Sequence, residues 1–365
     1  MPASPLIRAT SLSPEKRIRV LVVDDSAVIR RLVTHALEED EQIELAGTAQ
    51  NGLIALERIK QLNPDVVTLD IEMPEMDGLE ALRRIRQLYP RLPVIMFSTL
   101  TERGAATTLE ALASGASDYV TKAANAGSLD KSLAALRAEL IPKIKQFFQV
   151  SPVIKTPVPR PVAVPAVKLA WKRTAVLSPR VIVIGVSTGG PNALAAVVPQ
   201  FPKDFHLPVL IVQHMPPLFT RMLAERLNAN SAIRVEEVTD GASVETGKAL
   251  VAAGGYHMRV RKAQNGVIAT MDQEPPENSC RPAVDVLFRS VAEVYGGAVI
   301  AVMLTGMGND GLRGVTALKE LGAQVIAQDE ASSVVWGMPG AVVKSGLADA
   351  TVDLNSVVPE ILKRV

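Results

Sequence analysis

The chain has 365 residues, 39 basic against 38 acidic, of which 48% are hydrophobic, 21% charged and 4% aromatic. That length predicts two or three domains, two being favoured, each large enough to bury a core, and the even charge balance excludes a global field for nucleic acid or an anionic membrane. A single cysteine, Cys280, excludes an internal disulfide, and with no long apolar segment and no basic-then-apolar leader the expectation is a soluble cytoplasmic protein without membrane insertion.

Residues 1–17 carry three prolines and no apolar period, which predicts a disordered lead-in. From Ile18 the runs IRVLVV, IELAGTA, VVTL, PVIMF and DYV alternate with amphipathic stretches at 27–38, 52–61, 79–88, 103–113 and 128–147. Five such units predict a five-stranded parallel sheet with helices on both faces over 18–140, whose ligands bind at the carboxyl ends of the strands. The first strand ends in Asp24 and Asp25, the third in Asp70, the fourth in Ser98, and the fifth leads to Lys122. Carboxylates crowded at one edge repel each other unless a divalent cation offsets them, and hard oxygen ligands suit Mg2+. An aspartate can take a phosphoryl group, which Lys122 and Ser98 would then hold. Alone, Asp25 before SAVIRRL reads as a helix cap.

Pro142, Pro152, Pro157, Pro159, Pro161 and Pro165, mixed with basic residues, predict a linker over 141–179, extended or disordered from 149 to 178. A second domain, 180–365, follows with the runs VIVIGV, PVLIVQ, ALVAA, GAVIAVML and QVIA, and helical stretches near 191–199, 217–228, 283–295, 310–321 and 354–364. This predicts a doubly wound, mainly parallel α/β domain, with one β-hairpin in 256–271 turning at Asn265-Gly266.

In VIVIGVSTGGP, Ser187 stands between the end of an apolar strand and a helix start, among small residues that permit a sharp turn. A glycine-rich cap or phosphate cradle would have the same local pattern. A serine needs a base, and the base needs a group to hold its tautomer. Among His35, His206, His214 and His257, only His214 follows a strand as Ser187 does, and the run 298–304 leads into TGMGNDG with Asp310. Each has a plainer reading, His214 as a packed residue and Asp310 as a turn or cap; Cys280 as an alternative nucleophile carries little weight. A dinucleotide site would want an acid at the second strand end, where Gln213 and His214 stand, and the α/β-hydrolase order is Ser, acid, His, whereas this chain runs Ser187, His214, Asp310.

Two resemblances sharpen these expectations. VLVVDDS, TLDIEMPEMDG, MFST and DYVTK over 18–123 resemble the receiver (flavodoxin-like) domain of two-component response regulators. This implies Asp70 as phosphoacceptor, Asp24, Asp25, Asp70 and the Glu72 backbone carbonyl as Mg2+ ligands, Ser98 and Lys122 as the switch pair, and a histidine kinase as donor. Ala123 departs from the usual proline there, which leaves a cis bond in that loop in question. GVSTGGP, VQHMPPLFT, RPAVDVLFRS, LTGMGNDG and VVWGMPGAV over 180–364 resemble the catalytic domain of the chemotaxis protein-glutamate methylesterase (CheB) family, with Ala253 standing where that family has proline. The resemblance implies Ser187 as nucleophile, His214 as base, Asp310 as orienter, backbone N–H groups around Met307 as oxyanion hole, and no cofactor for ester hydrolysis. The substrates implied are methylated glutamates, and glutamines, on the cytoplasmic helices of chemoreceptors, with a receiver that covers the Ser187 edge until it is phosphorylated. The alternative is a phospho-responsive adaptor that binds receptor or kinase without turnover.

Overall fold

The computed structural model of the chain describes residues 10–11, 17–99, 101–122, 129–149 and 177–365. Most of the lead-in, the Ala123 loop and the larger part of the linker lie outside the described residues.

In the first domain, β2 (Ile18–Val23), β3 (Ile43–Ala49), β4 (Val66–Asp70), β5 (Val94–Ser98) and β6 (Asp118–Thr121) form one parallel sheet in the order β3-β2-β4-β5-β6. The helices between them are α1 (Ala27–Glu38), α2 (Gly52–Leu62), α3 (Gly78–Leu88) and α4 (Glu102–Ala113), with α5 (Leu129–Lys145) closing the domain. Alternate strand residues point to opposite faces. Val20, Val22, Phe97 and Val120 pack with α1 and α5, whereas Leu21, Val23, Leu69 and Met96 pack with α2, α3 and α4. Ser26, Asn51, Asp77 and Thr101 cap the first four helices through side-chain oxygens, each worth about 1 kcal/mol.

Two boundaries differ from the sequence reading. The linker does not begin at 141, because α5 runs through Pro142 to Lys145, and Leu140, Ile144 and Phe147 bury themselves in the core. An internal proline costs ~3 kcal/mol. Three buried apolar side chains return about 2 kcal/mol each, so burial decides. The lead-in also contributes a short strand, β1 (Thr10–Ser11), paired parallel with β7 (Phe148–Gln149).

The second domain is a seven-stranded sheet, parallel throughout. Its strands are β8 (Val181–Val186), β9 (Val209–Gln213), β10 (Arg234–Glu237), β11 (Lys248–Val251), β14 (Val299–Met303), β15 (Gln324–Gln328) and β16 (Ala350–Val352), in the order β10-β11-β9-β8-β14-β15-β16. Helices α6 (Gly190–Val197), α7 (Phe219–Asn230) and α11 (Val357–Leu362) cover the face that Ile182, Ile184 and Ile211 present. On the other face, α8 (Val284–Tyr295), α9 (Leu312–Glu320) and α10 (Met338–Lys344) cover Val181, Val183 and Leu210. The hairpin is β12 (His257–Ala263) with β13 (Gly266–Asp272). Its turn is Gln264–Asn265, one residue earlier than expected, since Ala263 pairs with Gly266, which takes φ 130°.

The two domains meet through α4, β6 and α5 of the first and α6 and α7 of the second. Tyr119 stacks on Phe219 with centroids 5.0 Å apart and planes 6° from parallel. Asn192 Nδ2 donates to Leu112 O (2.6 Å), Arg226 donates to Leu109 O (2.8 Å), and Arg221 pairs with Glu102 (2.7 Å). Val335 joins the cluster around Phe147 and Phe148.

Candidate functional site

Ser187, His214 and Asp310 follow β8, β9 and β14, three adjacent strands at the centre of the sheet. Parallel pairing in register brings Val186 beside Gln213 and Gly185 beside Met303, so all three residues emerge at one edge. The Ser187 N–H donates to Thr305 O (3.0 Å), its carbonyl accepts from Gly190 N (2.8 Å) and Gln213 Nε2 (3.0 Å), and the chain then turns through Gly189 at φ 76°. A Cβ on Gly190 would stand 1.8 Å from Gln213 Oε1, so a larger residue there would displace the Gln213 amide that ties the Ser187 carbonyl.

His214 Nε2 donates to Asp310 Oδ2 at 2.8 Å. That oxygen also accepts from Val284 N (2.7 Å), and Asp310 Oδ1 accepts from Asn278 Nδ2 (2.7 Å), Gly311 N (3.0 Å) and Asp285 N (3.1 Å). Burial pushes the Asp310 carboxyl up, but the bonds from His214 and from these backbone groups outweigh it and hold it below the ordinary carboxylate value. Burial pushes His214 down, but Asp310 and Cys280 outweigh it and the imidazole is held above its ordinary 6.5. Cys280 Sγ lies 3.5 Å from His214 Nδ1. Among the described residues Ser187 Oγ makes no hydrogen bond, so the nucleophile and base of the sequence reading share an edge without being joined. Gly306 packs against Ser187, where a Cβ would lie 2.8 Å from the serine Cβ. Its N–H donates to Val335 O (3.0 Å), and its carbonyl accepts from Gly337 N (3.0 Å) and Met338 N (2.8 Å). The N–H of Met307, next along, has no partner among the described residues, as an oxyanion donor requires.

The first domain reaches this edge. Thr188, immediately after Ser187, makes hydroxyl contacts with Asp118 Oδ2 (3.1 Å) and Gln146 Oε1 (3.0 Å). Lys143 donates to Tyr119 O (2.5 Å) and lies over the tyrosine ring. A cavity of about 340 Å³ remains between the domains, lined by Ser187, His214 and Asp310 on one side and by Tyr119 and Gln146 on the other.

At the carboxyl edge of the first domain's sheet, one oxygen from each of Asp24, Asp25 and Asp70 lies within 4.8 Å of the others. Ser26, not Asp25, caps α1, which leaves the Asp25 carboxylate exposed toward the cluster. Lys122 Nζ lies 2.8 Å from Asp70 Oδ1 and 3.1 Å from Asp24 Oδ2. The latter contact lacks hydrogen-bond geometry, so Asp24 Oδ2 is a buried acceptor without a hydrogen-bond donor among the described residues. Three clustered carboxylates with one orphaned oxygen and one cation between them fit a divalent metal ion. Burial raises the Asp70 pKa, Lys122 opposes this, Asp24 adds to it, and the value reaches about 6. Glu72 lines the adjoining cavity with Asp25, Asp70 and Lys122. Ser98 ends β5 as expected, but its hydroxyl is turned toward α4, where it contacts Gly104 O (3.2 Å) and Thr108 Oγ1 (2.5 Å).

The sequence reading weighed Cys280 only as a rival nucleophile and Gln213 only against a dinucleotide site, and did not single out Asn278; in the structure Gln213 ties the Ser187 carbonyl, Asn278 holds Asp310, and Cys280 lies at His214. Only Gln213 had a local signal, a polar residue ending an apolar strand.

The family model described as CheB methylesterase matches residues 182–361, and that of the response regulator receiver domain matches residues 20–134. A protein-glutamate methylesterase/protein-glutamine glutaminase of Trichodesmium erythraeum is 50% identical over 354 residues, covering 96% of this chain and 99% of that protein. One of a Nocardioides species is 50% identical over 352 residues, 95% of each chain. The crystal structure of the Thermotoga maritima CheB methylesterase catalytic domain matches with TM-score 0.50 and 40% identity, covering 52% of this chain and 100% of that one.

Proposed function

The chain belongs to the CheB methylesterase family, with a response-regulator receiver ahead of the esterase domain, and from that membership we infer that it hydrolyses glutamate methyl esters on chemoreceptors and deamidates glutamines there. The observation that carries the assignment of roles is the emergence of Ser187, His214 and Asp310 from three neighbouring strand ends, with His214 already bonded to Asp310.

In this reading Ser187 Oγ attacks the side-chain carbonyl carbon of the ester while its proton passes to His214 Nδ1. Asp310 stabilises the imidazolium through Nε2, and the Met307 N–H faces the oxyanion. As the tetrahedral adduct collapses, the proton on His214 goes to the departing methoxide and methanol leaves. A water then gives its proton to His214, adds to the glutamyl-serine ester, and releases a glutamate carboxylate with Ser187 restored. A glutamine follows the same course with ammonia as the leaving group.

The receiver supplies control. Asp70 is the phosphoacceptor, a histidine kinase the donor, and Asp24, Asp25, Asp70 and the Glu72 carbonyl would hold Mg2+, which neutralises charge on the entering phosphoryl group. The new phosphoryl oxygens draw Lys122 and the Ser98 hydroxyl toward Asp70. Lys122 adjoins β6, whose first residues, Asp118 and Tyr119, grip Thr188 and Phe219, so movement at one end of a four-residue strand loosens the cover at the other. Among the described residues no helix is long and apolar enough to cross a membrane, in keeping with action on the cytoplasmic helices of receptors.

The test is methanol release from methylated receptor membranes by wild type and Ser187→Ala, with and without Mg2+ and a small phosphodonor. Release that needs Ser187 and rises with phosphodonor supports both halves. Release without stimulation removes the switch, and no release from wild type favours the adaptor.

A further inference from the structure

Between the hairpin and α8, residues Glu277–Cys280 form a tight turn whose two central residues, Asn278 (φ 53°) and Ser279 (φ 63°), both lie in the left-handed region. Glu277 and Cys280 exchange backbone hydrogen bonds of 3.1 and 2.9 Å, and Arg289 anchors Glu277 through two more of 2.7 and 2.6 Å. Successive left-handed residues other than glycine are costly and are retained where surrounding contacts fix them. Here they deliver one amide group. Asn278 Nδ2 donates to Asp310 Oδ1 at 2.7 Å and to Asp285 Oδ2 at 3.0 Å. Both acceptors belong to carboxylates, so both amide hydrogens are used and the orientation of the side chain is settled by chemistry.

Asp285 and Asp310 are almost wholly buried, one in the first turn of α8 and the other ahead of α9. Burial and the neighbouring Asp310 push Asp285 above its ordinary value, while a bond from Gly314 N (2.7 Å) pulls it down. The other ionisable or charged groups around the pair are His214, Glu277, Arg289 and Arg313. Without a donor between them, two like charges would face each other out of water.

We propose that Asn278 is a positioning residue for ester hydrolysis: its amide bridges Asp310 to Asp285 and fixes the rotation of the Asp310 carboxylate so that Oδ2 faces His214. This rests on the assignment of Ser187, His214 and Asp310 given above. Oδ1 is held by Asn278 and two backbone N–H groups, while Oδ2 accepts from Val284 N and faces the imidazole; Asn278 is the only side chain among these donors that acts on the face away from His214. With the amide gone, Asp310 turns or takes a proton, the imidazolium loses its partner, and the pKa of His214 falls toward its ordinary value.

The decisive variant is Asn278→Gly, because glycine keeps the left-handed turn and removes only the amide. Asn278→Asp keeps the size, tolerates the same φ, and replaces the donor with a third carboxylate. Both are made in the full chain, treated with Mg2+ and phosphodonor, and assayed for methanol release from receptor membranes between pH 6 and 10. Asn278→Gly is expected to lose kcat on the order of a hundredfold, the cost of slight misplacement of a catalytic group. KM stays within about twofold on that account, and the acid limb of kcat moves to lower pH. Asn278→Asp loses more. Asp70 phosphorylation, on the other domain, stays at the wild-type rate. A glycine variant with the kcat and pH limb of wild type overturns the proposal, as does a loss confined to KM. If the glycine variant does not fold, a wild-type profile for Asn278→Asp overturns it equally. Activity surviving in Ser187→Ala instead sinks the underlying assignment, so the two failures are distinguishable.

Discussion

Replacing Asp70 with asparagine should stabilise the receiver domain. Asp70 is 3% exposed, and its pKa of about 6, against an ordinary 3.8, reflects burial first, opposed by Lys122 and reinforced by Asp24. The folded state therefore binds a proton more tightly than the unfolded chain. Its contribution to stability is fully present below about pH 4 and is lost as pH rises through about 6. At pH 7.5 the whole shift corresponds to about 3 kcal/mol. Water entering the cavity beside Asp70, and the freedom of Lys122 to swing to Asp24, reduce that to a gain of about 1–2 kcal/mol for Asp70→Asn. Pulsed hydrogen exchange of the full chain through a urea series, read at peptides covering β4 and β6, measures it directly. The gain should shrink toward zero as the pH approaches 4, and Mg2+ should stabilise wild type more than the variant. An unchanged or weakened receiver at pH 7.5, or a gain as large at pH 4, would refute the view that Asp70 is an ionised carboxylate held at electrostatic cost.

Asp310→Asn should lower methanol release by about four orders of magnitude with KM little changed, because the amide favours the wrong imidazole tautomer; steady-state kinetics on receptor membranes decide this. Cys280→Ala frees His214 Nδ1 for Ser187, and the loss of a bond worth about 1 kcal/mol should raise resting activity severalfold, measured without phosphodonor. The double variant Asn192→Ala, Arg226→Ala removes two hydrogen bonds from the domain interface and should raise unphosphorylated release by about tenfold while leaving the phosphorylated rate unchanged. Because Asp310 holds the imidazole above its ordinary 6.5, the acid limb of kcat/KM should lie above pH 6.5, and a limb below that value would show that the pair is broken in the working enzyme.

What the sequence made legible follows from range. Runs such as VIVIGV and VLIVQ are central strands buried on both faces, so their apolar content announces them and the polar residue after each marks the working edge. β10, with Val235 as its buried apolar residue, and α10, which opens Met-Pro-Gly, are held by neighbours and carry no period of their own. The amphipathic period over 128–147 already reached past Pro142, but the prolines and basic residues of the same segment set the linker boundary at 141; the burial of Ile144 and Phe147 that decides for the helix is tertiary. Asn278 and Cys280 act across 32 and 66 residues of chain on Asp310 and His214, respectively, a relation that spacing cannot express. The Ser187 motif was readable because strand, turn and helix start are consecutive.

The cavity left between the domains has a consequence for what the resting enzyme admits. At about 340 Å³ it accommodates a short acyl ester beside Ser187, whereas a receptor helix, roughly 10 Å across with its side chains, has to displace α4 and α5 to present a glutamyl ester there. In the proposed regulation the receiver would then work as a size filter as well as a brake. Phosphorylation should accordingly alter selectivity, lowering the ratio of small-ester to receptor hydrolysis. Because that ratio cancels any change in the chemistry of His214, it reports the opening of the interface alone.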